Sequence, residues 1–128
     1  MHGNFRDLQQ LISSLDIEKV DGVLADLGWR MEQFSGNGRG FSFRYDEPLL
    51  MTLGDPDDYD FTASDIVNGW DEHVLADIIF GYGEERFARR IAKKIVETRV
   101  ETPIETSKQL SDLVVAAYPA AARHGRTH

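Results

Sequence analysis

The chain has 128 residues, 41% of them hydrophobic, no cysteine, and a formal net charge of -8. That length can enclose one ordinary core, and the lack of thiols excludes a disulfide framework, a thiolate metal site and a cysteine nucleophile, which points to the cytoplasm. The apolar runs are too short to span a bilayer and MHGNFRDLQQ has no hydrophobic signal core, which argues against membrane insertion and secretion.

In chain order, Phe5, Leu8, Leu11, Ile12 and Leu15 fall at helical spacing and predict a helix over 5–15. A polar link leads to Val23–Ala25, which reads as a short buried strand of a parallel sheet ending at Asp26. SGNGRG at 35–40 is a turn-rich breaker, and GFSFRYDEPLLMTL predicts two short strands around the Asp46-Glu47-Pro48 turn. The acidic loop GDPDDYDF follows. From there the pattern is helical: Thr62 or Ser64 can cap ASDIVNGW, and Asp71 can cap EHVLADIIF. Gly81 and Gly83 are expected to break the chain before a long helix that begins near Glu84. Pro103 ends that helix, Thr106 or Ser107 can cap KQLSDLVVAAY, and Pro119 closes it.

Charge is distributed unevenly. Residues 1–82 carry a net -11 and residues 83–128 a net +3. Within GYGEERFARRIAKKIVETR, at 81–99, stand six of the fourteen basic residues: Arg86, Arg89, Arg90, Lys93, Lys94 and Arg99. Phe87, Ala88, Ile91, Ala92, Ile95 and Val96 take one side of this predicted helix and the cations the other. A solvated face is the plainer interpretation and a surface for a polyanion the sharper one, since attraction to phosphates depends on the local field more than on total charge.

Other features carry less. Asp26 stands where open α/β sheets bind ligands, although a cap or turn role explains a lone acidic strand end as well. GNGRG resembles a phosphate-cradling loop but lacks a strand before it and a clear helix after it, so it reads as a turn. DPDDYD has Asp60 where a calcium loop needs glycine and Ile66 where it needs glutamate, and His2, His73, His124 and His128 have no ligand-like spacing beyond the His124/His128 pair. No metal site is expected, and no catalytic residue is identified.

Four blocks in order, HGNF at 2–5, DGVLADLG at 21–28, GRGFSF at 38–43 and GYGEERFARRIAKKIVE at 81–97, resemble the MraW-type family of S-adenosylmethionine-dependent small-subunit rRNA methyltransferases. The resemblance covers nearly the whole chain and implies an α/β family. Residues 1–34 would be a helix-strand piece of a Rossmann-like methyltransferase core, and 35–128 a mainly helical substrate-recognition insertion. It implies methyl transfer from S-adenosylmethionine to the exocyclic amine of a cytosine in 16S rRNA, with small-subunit rRNA or the 30S subunit as partner and a homodimer left open. The family's cofactor contacts fall on Phe5, Asp26 and Gln33. RNA contacts are expected at Arg86, Arg89, Arg90, Lys93 and Lys94.

The chain departs from the family's pattern at Trp29-Arg30-Met31, where a small polar pair is usual, and at Leu50-Met51-Thr52-Leu53-Gly54, where PLDMRMD would supply aspartate and arginine. The family's glycine-rich cofactor loop is expected before residue 1, its HPATRTFQ block from about His128 and its FHSLEDR block beyond. The resemblance therefore implies a longer parent enzyme, with the isolated chain inactive. The rival reading is a non-catalytic helical RNA- or protein-binding module.

Overall fold

The computed structural model describes residues 3–26, 28–34 and 36–120. A single turn of 3-10 helix at Phe5–Asp7 runs into α1, Leu8–Ser13. Asn4 accepts a hydrogen bond from the Arg6 N–H at 3.0 Å and starts this turn. The helix expected over 5–15 is thus present and ends two residues early, beside Asp16 at φ 58°.

The strand expected at Val23–Ala25 does not form. Val23 is 66% and Leu24 100% exposed, and the described residues contain no strand at all. A parallel strand is a property of its neighbours: without a flanking strand, its N–H and C=O groups have no ladder and its side chains no covering helix. The two strands expected around Asp46-Glu47-Pro48 are also missing, and only an isolated bridge pairs Pro48 with Thr106. The α/β character implied by the resemblance is therefore not expressed among the described residues, which are helical.

Four helices carry the rest: α2 at Ala63–Gly69, α3 at Glu72–Gly83, α4 at Ala88–Glu101 and α5 at Ser107–Ala117. Thr62 and Asp65 cap α2 reciprocally, the Asp65 carboxylate accepting from the Thr62 N–H at 2.8 Å and from its hydroxyl at 2.7 Å. These bonds to the charged form hold Asp65 below the usual carboxylate range. Thr106 and Gln109 repeat the device on α5. Extended residues Thr102, before Pro103, and Tyr118, before Pro119, end α4 and α5.

The break between α3 and α4 lies later than the glycines suggest. Gly81 and Gly83 are both inside α3, and Glu84 ends it in the left-handed region at φ 51°. The following helix begins at Ala88, four residues past the expected Glu84. Glu85 starts it by accepting from the Phe87 N–H at 2.7 Å, which places a carboxylate at the positive end of the helix dipole.

Helices α3, α4 and α5 pack in succession, with α2 against α4. Their shared core includes Val67, Leu75, Ile91, Ala92, Ile95 and Tyr118, closed by Leu49 and Ile104 from the connecting segments. Asn68 pins the second segment with both ends of its amide: Nδ2 donates to the Ile104 carbonyl and Oδ1 accepts from the Ile104 N–H, each at 2.9 Å.

Candidate nucleic-acid interface and cofactor contacts

Helix α4 buries Ala88, Ile91, Ala92 and Ile95. A period of 3.6 residues puts Arg89, Arg90, Lys93 and Lys94 on the opposite side. Arg89, Arg90 and Lys93 are exposed and Lys94 is half-buried. Lys93 lies 3.9 Å from Glu97, both side chains being more than half exposed; such a pair is worth little in water and leaves the cation available to another anion. Among the described residues no acid pairs with Arg89 or Arg90.

The other two cations of the cluster behave differently. Arg99 is a structural residue: its Nη1 donates to the Val67 carbonyl at 2.8 Å, satisfying a backbone acceptor in the last turns of α2. Arg86 precedes α4, so it does not share a helical face with Arg90 at a spacing of four. It is exposed, and its guanidinium sits 4.7 Å from the centroid of the Phe87 ring.

Behind this face the Tyr118 hydroxyl donates to the Glu85 carboxylate, linking the end of α5 to the start of α4. Burial first, then the hydrogen bond and the negative charge of Glu85, push the tyrosine pKa up to about 12, with Arg86 pulling the other way. Spacing in the sequence could not show this pair, because its members are 33 residues apart.

GNGRG proves to be occupied from within. Gly36, Gly38 and Gly40 have φ of 65°, 75° and 75°, and their turns aim backbone N–H groups at the Glu47 side chain. Oε1 accepts from Gly38 at 3.1 Å and Oε2 from Gly40 at 2.9 Å. The buried carboxylate stands where a bound anion would. Arg39 bonds to the following segment instead, its Nη1 donating to the carbonyls of Thr52, at 2.9 Å, and Gly54. The loop is a structural clasp, in line with the turn reading.

Among the described residues, the two open hollows of the amino-terminal part hold one of the three expected cofactor contacts, Gln33. Phe5 is 74% exposed. Asp26 is exposed and its Oδ1 accepts from the Gly28 N–H at 3.0 Å, a turn bond that leaves Oδ2 available. Gln33 Oε1 accepts from the Arg30 N–H at 2.7 Å, and its side chain helps line an open polar hollow of about 510 Å³ with Arg30, Glu32, Asn37, Arg39 and Leu53. A second hollow, about 560 Å³, lies between α1 and residues 16–23 and includes neither Phe5 nor Asp26. An aromatic face, a carboxylate and an amide match the chemistry of an adenosyl cofactor one by one, but neither of these two hollows holds more than one of them.

Among the described residues no three His, Asp or Glu side chains are grouped to hold a metal ion. The His124/His128 pair, His2 and Leu27 of the DLG block lie outside the described residues. No helix among the described residues is long and apolar enough to cross a membrane.

Fold and surface together define a capped helical module with a cluster of positive charge on the outer face of one helix. The chain belongs to the MraW methylase family, whose pattern it matches over residues 1–128. It is similar to the ribosomal RNA small subunit methyltransferase H of Desulfosudis oleivorans, with 53% identity over 124 residues. The match covers 97% of this chain and 39% of that relative's length.

Proposed function

We propose that this chain is a segment of an rRNA methyltransferase that transfers a methyl group from S-adenosylmethionine to the exocyclic amine of a cytosine in 16S rRNA. The observation that carries the reading is the family match along all 128 residues, supported by a relative bearing the name of a small-subunit rRNA methyltransferase. Residues 1–34 belong to the Rossmann-like core and 35–128 form the substrate-recognition insertion.

In this account the cofactor supplies an electrophilic methyl group. The chain's own residues bind and position. Phe5 offers a ring face for the adenine, and Asp26 and Gln33 offer polar contacts on the same ligand. Residues from the rest of the parent must complete that pocket, since the three are dispersed here. Arg86, Arg89, Arg90, Lys93 and Lys94 hold phosphates and fix the position of the RNA without reading sequence. Transfer to an amine requires alignment and no covalent enzyme intermediate, so a module that orients the RNA contributes directly to rate.

The test is to incubate the full-length parent with 30S subunits and S-adenosylmethionine, then digest the 16S rRNA and analyse its nucleosides by mass spectrometry. A new N4-methylated cytidine is the expected product. Unmodified cytidine, or a methyl group on another base, would contradict the assignment.

A further inference from the structure

Gln33 ends a single turn of 3-10 helix, Met31–Gln33. Three residues have too few backbone bonds to hold one conformation by themselves, and aromatic contacts on either side of the turn supply the rest. The rings of Trp29 and Phe34 meet edge to face with centroids 4.7 Å apart, which closes the chain across the turn. Phe34 meets Phe41 in the same manner at 5.0 Å. Phe41 follows Gly40, whose N–H is held by the buried Glu47 carboxylate. Three rings thus tie the turn that carries Gln33 to the glycine-rich clasp. Trp29 is 65% exposed and is not part of the helical core, so its contribution is to the shape of this turn.

Within the turn the Gln33 amide has a defined orientation. Its Oε1 accepts from the Arg30 N–H at 2.7 Å, and the Gln33 N–H donates back to the Arg30 carbonyl at 3.0 Å. A backbone N–H requires an acceptor, so this bond fixes which end of the amide is oxygen. The Nε2 protons are left, and among the described residues no acceptor takes them. The side chain is half-buried and lines the open polar hollow. Such a group suits an acceptor atom on a ligand, and an adenosyl cofactor carries several in its ring nitrogens, ribose oxygens and carboxylate. Holding a glutamine in one rotamer costs entropy, and a turn that holds it beforehand removes that cost from binding.

We propose that Trp29 is a positioning residue: through Phe34 it holds the Met31–Gln33 turn so that Gln33, its Oε1 engaged by Arg30, offers its Nε2 protons to an acceptor atom of S-adenosylmethionine. The inference rests on the reading of Gln33 as a cofactor contact and adds which atom makes the contact and what orients it.

The experiment measures S-adenosylmethionine affinity of the full-length parent and its variants by calorimetry. Gln33→Ala should weaken binding roughly tenfold, the scale of one lost hydrogen bond. Trp29→Ala should weaken it severalfold, and Trp29→Phe, which keeps a ring against Phe34, should restore the parent's affinity. Trp29→Ala combined with Gln33→Ala should bind no worse than Gln33→Ala alone, because the first acts through the second. Gln33→Glu keeps an oxygen for the Arg30 N–H and has no proton to donate, so it should weaken binding as Gln33→Ala does. Additive losses in the double variant, or a Trp29→Phe variant no better than Trp29→Ala, would make Trp29 a general structural residue and overturn the proposal. If Gln33→Ala loses affinity while Trp29→Ala binds like the parent, positioning by Trp29 fails and the cofactor reading of Gln33 stands. If Gln33→Ala binds like the parent, both fail. Parent-like affinity in Gln33→Glu would overturn the assignment of Nε2 as the contacting atom.

Discussion

The Glu47 carboxylate accepts a hydrogen bond from the Gly40 N–H at 2.9 Å, and that contact ties the glycine-rich loop to the segment before α2. Gly40 is at φ 75°, and a Cβ there would come 2.3 Å from the Pro48 carbonyl oxygen. On the other side, the Glu47 carbonyl accepts from the Ser107 N–H at 2.9 Å, at the first turn of α5. Loop, carboxylate and helix start form one continuous hydrogen-bonded chain.

Two substitutions test it. Gly40→Ala should destabilise the chain by at least about 2 kcal/mol, because left-handed backbone and a backbone clash act together. Glu47→Ala should cost about 2 to 3 kcal/mol, since it strips partners from two N–H groups, one of them at a buried residue. Urea unfolding monitored by circular dichroism measures both. A change within about 0.5 kcal/mol for either, the usual range of an indifferent surface site, would show that the clasp is not structural.

The Tyr118–Glu85 bond predicts an alkaline limit to stability. The folded-state pKa of Tyr118 is pushed up to about 12 from the ordinary 10.0. The stabilising contribution of the neutral hydroxyl is complete below pH 10.0, where both states keep the proton, and is lost as pH rises towards the folded value of about 12. Thermal midpoints should therefore fall over that window, and Tyr118→Phe, which cannot ionise, should flatten the fall. An identical alkaline slope in the variant would remove Tyr118 as its source.

Much of the helical layout is visible in the sequence because it is decided locally. Thr62 and Thr106 cap because their partners Asp65 and Gln109 stand three residues on, and prolines at 103 and 119 stop helices by their own ring geometry. The two faces of α4 follow from the spacing of Ile91 and Ile95 against Arg90 and Lys94. What was not legible depends on distant residues. Val23–Ala25 has the composition of a buried strand, but no composition supplies a neighbouring strand. Glu84, not a glycine, takes the left-handed end of α3. Asp26 shows both sides of the matter: its turn bond to Gly28 is local and was foreseeable, while a cofactor role depends on groups distant in sequence.

The dispersal of Phe5, Asp26 and Gln33 has a consequence for the isolated chain. Contacts that share no cavity leave most of a bound ligand in water, so the 128 residues alone should show no methyltransferase activity and very weak affinity for S-adenosylmethionine. Isothermal calorimetry giving micromolar binding would contradict this. In the full-length parent, Asp26→Ala should weaken cofactor binding by about 1 to 3 kcal/mol, the range for a lost hydrogen bond to a charged group. An unchanged dissociation constant with lost turnover would move Asp26 to the target amine.

The central claim is that the outer face of α4 holds RNA phosphates, and the most direct measurement is the salt dependence of RNA binding by the full-length parent carrying Arg89→Gln and Arg90→Gln. These two arginines are exposed and have no acidic partner among the described residues, so stability should change by no more than about 0.5 kcal/mol. Affinity for 16S rRNA should fall, the loss should shrink as salt rises, and the slope of log affinity against log salt should decrease by about 0.7 to 0.9 for each phosphate contact removed. If the double variant binds like the parent at every salt concentration, the cations of α4 only solvate the helix and the RNA-binding account of this face is wrong.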